Sequence, residues 1–327
     1  MSASDPILIV GAGLAGLVAG LELRAHGYKV ILLESGAAAG GRLASEDVGD
    51  GHFDSGAQFF TIRFPRFHKM VTAWKTAGVV VEWSRGFAGS SGQARRDGHP
   101  RYRGKPDMAA IARHLARDLD VRLETFVEAV NFDHGRWLLS LAGGGEIDSR
   151  ALILTPPLPL TLSLLDAGSV TLPPEIRDPL EAIVYQPCLA LLAVLDGPSG
   201  LPAPGAMQLL SEPLAFIADN EQKGVSPAVP AVTIHAGPRF SQEQWGTADD
   251  AVASQMLEAA SPWLKVPVAA WRLHRWRYSM PAQTFPARTL ASPAFPGLHF
   301  AGDVFAGPRI EGAALSGLAA AEAILEE

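Results

Sequence analysis

Cysteine is nearly absent, because the 327 residues include a single one, Cys188. One thiol cannot form an internal disulfide, a CxxC redox pair or a cysteine-based metal site. Disulfide frameworks are also typical of oxidising compartments. We therefore expect a cytoplasmic protein that has no disulfide framework and no bound metal.

An excess of positive charge and a long apolar run are also missing. Lys and Arg number 27 against 34 Asp and Glu, which gives a formal net charge of −7. This balance offers no basic footprint for a nucleic acid or an anionic membrane surface. The most apolar stretch, residues 6–21, contains four glycines and is shorter than the about 20 residues that a spanning helix needs. The expected partner is a small molecule, bound by a monomer or weak homodimer.

Apolar strands and glycine turns mark the first part of the chain. Ile7–Val10 is a fully apolar strand, Leu14–His26 has helical periodicity, and Lys29–Leu33 is a second apolar strand. Strands of this kind are typical of a parallel sheet buried on both faces. A similar strand returns at residues 298–300, so the first domain is predicted to be discontinuous.

The middle of the chain has a different pattern. A β-meander is predicted from three alternating runs, Val121–Leu123, Phe126–Phe132 and Trp137–Leu141. Prolines then separate strand-like runs such as Leu189–Leu195 and Ala231–His235. We predict a first domain of residues 1–62, 103–160 and 292–327, and a second, mainly antiparallel α+β domain of residues 63–102 and 161–291.

Gly11, Gly13 and Gly16 form G-x-G-x-x-G between the first strand and the first helix. The first glycine permits a tight turn, the second lets a pyrophosphate approach the backbone, and the third allows close packing of helix on strand. The helix N-terminus then faces the phosphates. Glu34 ends the second strand, where a carboxylate can accept hydrogen bonds from ribose hydroxyls. The predicted dinucleotide site also includes Ala12, Leu14, Ala15 and Ser35.

Gly40-Gly41-Arg42 follows Glu34 by six residues, and Asp54–Phe60 comes soon after. The glycines let this loop pass close to a ligand, and a guanidinium can bind a pyrophosphate with two hydrogen bonds. Together with the first motif, G-G-R resembles the signature of the flavin amine oxidase superfamily. The resemblance implies one non-covalently held FAD on an α/β, Rossmann-type, GR2-like domain with a central parallel sheet and a β-meander. It assigns FAD contacts to Gly41, Arg42, Ala57, Gln58 and Phe59.

Ala301-Gly302-Asp303 and Glu311-Gly312-Ala313 agree with this resemblance. In the superfamily the Gly-Asp carboxylate holds the ribityl chain, and a helix that begins near the Glu-Gly pair directs N–H groups at the flavin C2 oxygen. That placement is favourable because a reduced flavin carries negative charge. The resemblance also implies that the backbone of Val127 contacts adenine. The FAD contacts implied here are Gly302, Asp303, Ile310, Glu311 and Val127.

Four stretches support a narrower resemblance, which covers nearly the whole chain. Segments of bacterial renalase-type proteins are similar to Asp54–Thr61, Tyr102–Pro106, Ile217–Asn220 and, most specifically, His274–Tyr278. This resemblance implies oxidation of the 2- and 6-dihydro isomers of NAD(P)H to NAD(P)⁺, with dioxygen as acceptor and hydrogen peroxide as product. Two alternatives stay open: an amine oxidase or other small-molecule oxidoreductase on the same scaffold, and a flavin-binding sensor without turnover.

Two departures argue against amine oxidation. Amine oxidases place a tyrosine of their substrate cage where this chain has Arg309, and a guanidinium suits an anionic substrate and repels a cation. Those enzymes also use a strand lysine that is water-bridged to the flavin N5 atom. The sole lysine of residues 156–262 is Lys223, which lies in a predicted loop.

The candidate catalytic residues are Arg309, Asn220, His235 and Arg277. On the predicted strand Trp271–Tyr278 one face carries Leu273, Arg275 and Arg277, and the other carries His274, Trp276 and Tyr278. This strand is either a substrate wall or an edge strand protected by charges. His235 lies on an apolar strand, where a histidine is more often a hydrogen-bonded core residue than a catalytic one. Hydride transfer to flavin needs positioning more than acid–base help.

Overall fold

The computed structural model describes residues 5–89, 97–209, 211–305 and 307–327. The strands are β1 (Ile7–Val10), β2 (Val30–Leu33), β3 (Ser45–Val48), β4 (Gly51–Asp54), β5 (Val80–Ser84), β6 (Arg101–Gly104), β7 (Asp120–Arg122), β8 (Val127–Asp133), β9 (Arg136–Leu141), β10 (Glu146–Ser149), β11 (Leu152–Leu154), β12 (Tyr185–Leu195), β13 (Ala206–Gln208), β14 (Leu214–Asp219), β15 (Ala231–Ala236), β16 (Val268–Pro281), β17 (Leu290–Ala291) and β18 (Leu298–Phe300). The helices are α1 (Leu14–Ala25), α2 (Pro65–Thr76), α3 (Ala109–Ala116), α4 (Leu158–Ala167), α5 (Pro174–Glu181), α6 (Asn220–Lys223), α7 (Pro238–Glu243), α8 (Asp249–Ala260) and α9 (Ile310–Glu326). Within these described ranges, no helix has the length and apolar character needed to cross a membrane.

The chain forms two compact units. The first unit consists of Met1–Gly41, Ala112–Val184 and Pro281–Glu327, and the second of Arg42–Ile111 and Tyr185–Met280.

These units differ from the predicted domains in four stretches. The sequence assigns residues 42–62 and 103–111 to the first domain, whereas their contacts place them in the second unit. Conversely, residues 161–184 and 281–291 belong to the first unit. The difference arises because long-range contacts define the units: residues 42–62 are hydrogen-bonded to β15 and β16, and α4 packs on β8.

The first unit is built on a six-stranded sheet in the order β17-β18-β11-β1-β2-β7. Its pairs are parallel except for the antiparallel edge pair β17–β18. Every residue of β1, β2, β11 and β18 is buried, which is why these strands are almost wholly apolar. The predicted parallel sheet is confirmed.

Helices α1 and α9 pack closely in the first unit. A Cβ atom at Gly317 would lie 2.0 Å from the carbonyl oxygen of Ala15, so only glycine permits this approach. The hydroxyl of Ser316 accepts the N–H of Gly302 at 2.9 Å, which ties α9 to the chain just after β18.

The β-meander of the first unit is β8–β9–β10. The sequence expects Val121–Leu123 to be part of it, but β7 pairs in parallel with β2 and extends the main sheet instead. A strand this short carries too little pattern to specify its partner.

The second unit contains a five-stranded sheet in the order β13-β14-β15-β12-β16. Its pairs β13–β14, β14–β15 and β15–β12 are antiparallel. Buried apolar side chains of this sheet, of α7 and of α8 form its main core. The hairpin β3–β4 and the antiparallel pair β5–β6 complete the unit. The predicted α/β class with a separate antiparallel domain is confirmed.

Candidate functional site

The turn between β1 and α1 requires two of its glycines for packing. Gly11 has φ +95°, and a Cβ atom there would lie 2.4 Å from Thr155 Oγ1. A Cβ atom at Gly16 would lie 2.1 Å from the Gly11 carbonyl oxygen. At Gly13, by contrast, a Cβ atom would meet no atom of the described residues within 4 Å. The turn is therefore tightly packed on one side and open at Gly13.

The carboxylate of Glu34 lies at this turn. Its Oε2 atom accepts the N–H of Ala12 at 2.8 Å, and its Oε1 atom accepts the N–H of Gly36 at 2.8 Å. The Thr125 N–H donates to the Glu34 carbonyl at 2.8 Å. Val127 begins β8 two residues after Thr125, so this hydrogen bond ties the chain just before β8 to Glu34. Ser35 is exposed beside Glu34.

The N-terminus of α1 has the chemistry of an anion site. Its N-cap, Gly13, makes no side-chain cap, and the first turn carries no acidic residue. Leu14 and Ala15, which open the helix, are buried. The first N–H groups of a helix lack intrahelical partners and lie at the positive end of its dipole. The open turn, this helix end and Glu34 together fit a dinucleotide.

The predicted C-terminal contacts lie where the main sheet meets α9 in the first unit. Gly302 and Asp303 follow β18 and are buried, and Gly302 has φ +144°. Ile310 and Glu311 open α9 and are also buried. Arg309 is the N-cap of α9, makes no side-chain cap and is exposed.

In the second unit, residues 54–60 are here called the flavin segment after their expected role. They lie in one of the four stretches named for the narrower resemblance, and the other three are hydrogen-bonded to them directly or through Thr233. The backbones of Phe60 and Tyr102 exchange two hydrogen bonds, of 2.9 and 2.8 Å. This pairing joins the flavin segment to β6, which lies within the Tyr102–Pro106 stretch.

Two ring N–H groups hold the carbonyl of Ser55. Trp276 Nε1 and His235 Nε2 each lie 3.0 Å from this oxygen. Burial lowers the pKa of His235 to about 4, with smaller contributions from nearby Lys223 and His274. His235 is therefore neutral at neutral pH, and its Nε2 donates. This placement favours a core role for His235 over acid–base catalysis.

Asn220 is connected to the flavin segment through a threonine. The Asn220 amide donates to Thr233 Oγ1 at 2.9 Å, and Thr233 Oγ1 donates to the Asp54 carbonyl at 3.1 Å. Both side chains are fully buried. Asn220 thus lies in the hydrogen-bond network beneath the segment.

Lys223 completes this network, a role that the sequence pattern does not indicate. It ends helix α6, and its Nζ atom lies 2.7 Å from Asp54 Oδ2 and 2.9 Å from Gln58 Oε1. The side chains of Lys223 and Asp54 are both inaccessible to solvent. Burial lowers the pKa of Lys223, and Asp54 opposes this effect. The one signal in the sequence is that Lys223 follows Asn220, the last residue of the Ile217–Asn220 motif, by three positions.

Other predicted contacts of the second unit have protein partners. The Arg42 guanidinium donates to the carbonyls of Tyr278 and Ser279 at 3.3 and 3.1 Å. The Ala57 N–H donates to the Arg42 carbonyl at 2.9 Å. The ring of Phe59 packs edge-on against Phe87, with centroids 4.9 Å apart. Arg42 therefore anchors the flavin segment to the end of β16.

The two faces of β16 have different surroundings. Arg275 forms an ion pair with Asp249, whereas Arg277 is exposed beside the Tyr278 ring. On the other face, His274 Nδ1 lies 3.0 Å from Glu46 Oε1. The hydrogen bond from His274 lowers the pKa of Glu46 to about 2. Arg275 fits the charged edge strand expected as one alternative.

His52 predicts a pH dependence of stability. Hydrogen bonds to Asp107 and Asp47 raise the pKa of His52 to about 9, against burial, which lowers it. Because this value exceeds the ordinary 6.5, the contribution of the imidazolium to the free energy of unfolding is complete below pH 6.5 and is lost as the pH rises through 9. We expect the Tm to fall over this range, and to fall less in His52→Gln. Thermal unfolding of both proteins across the range checks this, and equal slopes would contradict it.

Known proteins are similar to this chain in sequence or in fold. Residues 62–325 match the family described as flavin containing amine oxidoreductase, and residues 9–74 match the NAD(P)-binding Rossmann-like domain. A 1-hydroxycarotenoid 3,4-desaturase of Flavobacterium sp. (strain P99-3) is 42% identical over 55 residues. That match spans 17% of this chain and 11% of the desaturase.

Solved structures agree on the fold over the whole chain. A provisionally named protoporphyrinogen oxidase from Exiguobacterium sp. 255-15 has a TM-score of 0.77 at 15% identity, covering 99% of both chains. Wild-type putrescine oxidase bound to putrescine has a TM-score of 0.75 at 14% identity, also covering 99% of both chains. A fatty acid isomerase from P. acnes has a TM-score of 0.71 at 12% identity, covering 100% of this chain and 99% of the other. The family and domain matches together identify the cofactor as FAD. Since the family match covers most of the sequence, the chain belongs to the flavin-containing amine oxidoreductase family.

Proposed function

We propose that this flavin-dependent oxidoreductase is a renalase-like oxidase of the 2- and 6-dihydro isomers of NAD(P)H. The observation that carries the proposal is Arg309, an exposed cation at the N-cap of α9. It stands where the superfamily resemblance expects the cage tyrosine of an amine oxidase. A guanidinium attracts a pyrophosphate and repels the ammonium group of an amine.

The reaction balances with dioxygen as the second substrate. Bound FAD supplies the acceptor for a hydride from the dihydronicotinamide ring, which leaves as NAD(P)⁺. Overall, the dihydro isomer, dioxygen and one proton would give NAD(P)⁺ and hydrogen peroxide. The residues of the substrate site would have to place C2 or C6 of the ring, rather than C4, within reacting distance of bound FAD.

In this proposal, each cofactor motif of the sequence binds one part of FAD. In the first unit, the Gly11–Gly16 turn and Glu34 bind the pyrophosphate and the adenosine ribose, Val127 contacts adenine, and Asp303 holds the ribityl chain. In the second unit, Arg42 and the flavin segment contribute contacts to FAD. We infer that FAD is bound non-covalently; burial raises the pKa of the Cys188 thiol to about 12, which disfavours a cysteinyl bond to the flavin.

Anaerobic reduction of the flavin tests the substrate class. We expect fast bleaching by 2- or 6-dihydro NAD(P) isomers and at least about 100-fold slower bleaching by ordinary NADH or by a primary amine, because a misplaced donor loses rate steeply. Arg309→Ala should slow reduction by the isomers while FAD stays bound, and Arg309→Lys should retain part of the rate because it keeps the charge.

Each alternative has its own outcome in this experiment. Rapid reduction by an amine, with the isomers inert, would establish an amine oxidase. Tightly bound FAD that no donor reduces would establish a sensor without turnover. Arg309→Ala with the parental rate on the isomers would remove the argument from Arg309.

A further inference from the structure

The buried pair of Lys223 and Asp54 needs an explanation beyond stability. Both side chains are inaccessible to solvent, and their charges lie 2.7 Å apart. The attraction within a buried ion pair is largely offset by the cost of removing both charges from water. Replacing such a pair by apolar residues of similar volume therefore often leaves the stability of a protein unchanged. The ammonium also lies 4.9 Å from the centre of the Trp83 ring. A lysine held in this way by three partners has one defined position.

That position determines how the Gln58 side chain is oriented. An ammonium group only donates hydrogen bonds, so the Gln58 atom 2.9 Å from Lys223 Nζ is the oxygen Oε1. The amide nitrogen must then point the other way. There it donates to the carbonyls of Asp54 and Gly56 at 2.6 and 3.1 Å. Lys223 thereby sets which backbone groups Gln58 holds.

The flavin segment has little freedom left once these bonds form. Helix α6 presents Asn220 and Lys223 on one side, three residues apart, and both reach Asp54, the first through Thr233. The helix is itself capped by Asp219, which accepts the Gln222 N–H at 2.9 Å.

Gly56 of the flavin segment is equally confined. A Cβ atom at Gly56 would lie 2.2 Å from the Arg42 carbonyl oxygen, so only glycine permits this close approach of the two backbones.

We propose that Lys223 is a positioning residue for FAD, acting through Gln58 to hold the flavin segment in its cofactor-binding conformation. This rests on the proposed function insofar as the segment contacts FAD, and it does not depend on the substrate.

A double-mutant cycle on FAD binding tests the proposal. Lys223→Met and Gln58→Met should each weaken FAD binding at least tenfold and produce the same change in the visible circular dichroism of bound flavin. Because both variants break one relay, the double variant should bind FAD no more weakly than Lys223→Met alone. Lys265→Met, at an exposed lysine of the same unit, is the control and should match the parent.

Gln58→Met keeps the experiment informative if Lys223→Met does not fold, because it leaves the Lys223–Asp54 pair intact. Additive losses, or Gln58→Met with the parental affinity and spectrum, would overturn the relay. If the flavin segment does not contact FAD, Glu34→Ala weakens FAD binding while the Lys223 and Gln58 variants change only the Tm. That result would also overturn the positioning role. Failure of the proposed substrate would leave all these equilibrium readouts unchanged, so the two failures are distinguishable.

Discussion

Gly13→Ala is expected to leave the protein folded but to weaken FAD binding by about 100-fold or more, equivalent to about 2.8 kcal/mol. Gly13 has φ −69° and ψ 177°, which alanine adopts without strain. Its Cβ atom would enter the open side of the turn, where no described residue lies within 4 Å. In the proposed site that space belongs to the pyrophosphate. Loss of a glycine N-cap costs about 1 kcal/mol of stability at most. Thermal unfolding and titration with FAD measure the two effects.

Gly16→Ala is the matched comparison within the same turn. Its Cβ atom would lie 2.1 Å from the Gly11 carbonyl oxygen and 3.3 Å from Ile9 Cγ2. Backbone cannot yield as a flexible side chain can, so overpacking should cost about 1–3 kcal/mol and lower the Tm. Gly246→Ala, in an open position, should change neither property. Parental FAD affinity in Gly13→Ala would show that the cofactor does not approach this turn.

These glycines illustrate which parts of the fold the sequence could predict. The strands β1 and β2 are short, wholly apolar and separated by a glycine turn, so local pattern specifies both the elements and their parallel pairing. The position of Glu34 follows from the same unit, and its carboxylate does lie at the Ala12 N–H. Nothing beyond residues 7–34 is needed for this part.

Partners far apart in sequence could not be predicted. The Ser55 carbonyl binds His235 and Trp276, which are 180 and 221 positions away. Sequence pattern identifies the stretches that contain these residues but not that they meet at one carbonyl. The motif of β16 therefore left a substrate wall and a charged edge strand as alternatives, and neither indicates that Trp276 donates to the Ser55 carbonyl.

The burial of Lys223 could not be predicted from the sequence, for an energetic reason. A lysine followed by Gly224 and a proline-containing turn is ordinarily solvated, because burial of an ammonium is costly unless a charge accompanies it. Its partner, Asp54, lies 169 positions earlier, on β4. A buried charge is thus identified only when its counter-ion is located in space.

Asp54→Asn and Lys223→Met should each lower the free energy of unfolding by about 3–5 kcal/mol, because each leaves the other charge buried without its counter-ion. Asparagine retains an oxygen for the Met108 N–H and the Ser45 hydroxyl, which bind Asp54 Oδ1 at 2.8 and 2.7 Å. The loss in Asp54→Asn therefore reports mainly on the charge.

The combined variant Asp54→Asn/Lys223→Met should lose less than the sum of the two single losses, by about 2–3 kcal/mol, because it leaves no unpaired ion in the core. Urea unfolding of the four apoproteins measures this coupling, and the absence of FAD keeps differences in cofactor binding out of the comparison. Strictly additive losses would mean that the two charges do not stabilise each other, despite the 2.7 Å between them. A coupling of the expected size would instead identify the pair as one unit, which the second unit of the protein holds in its interior to support the flavin segment.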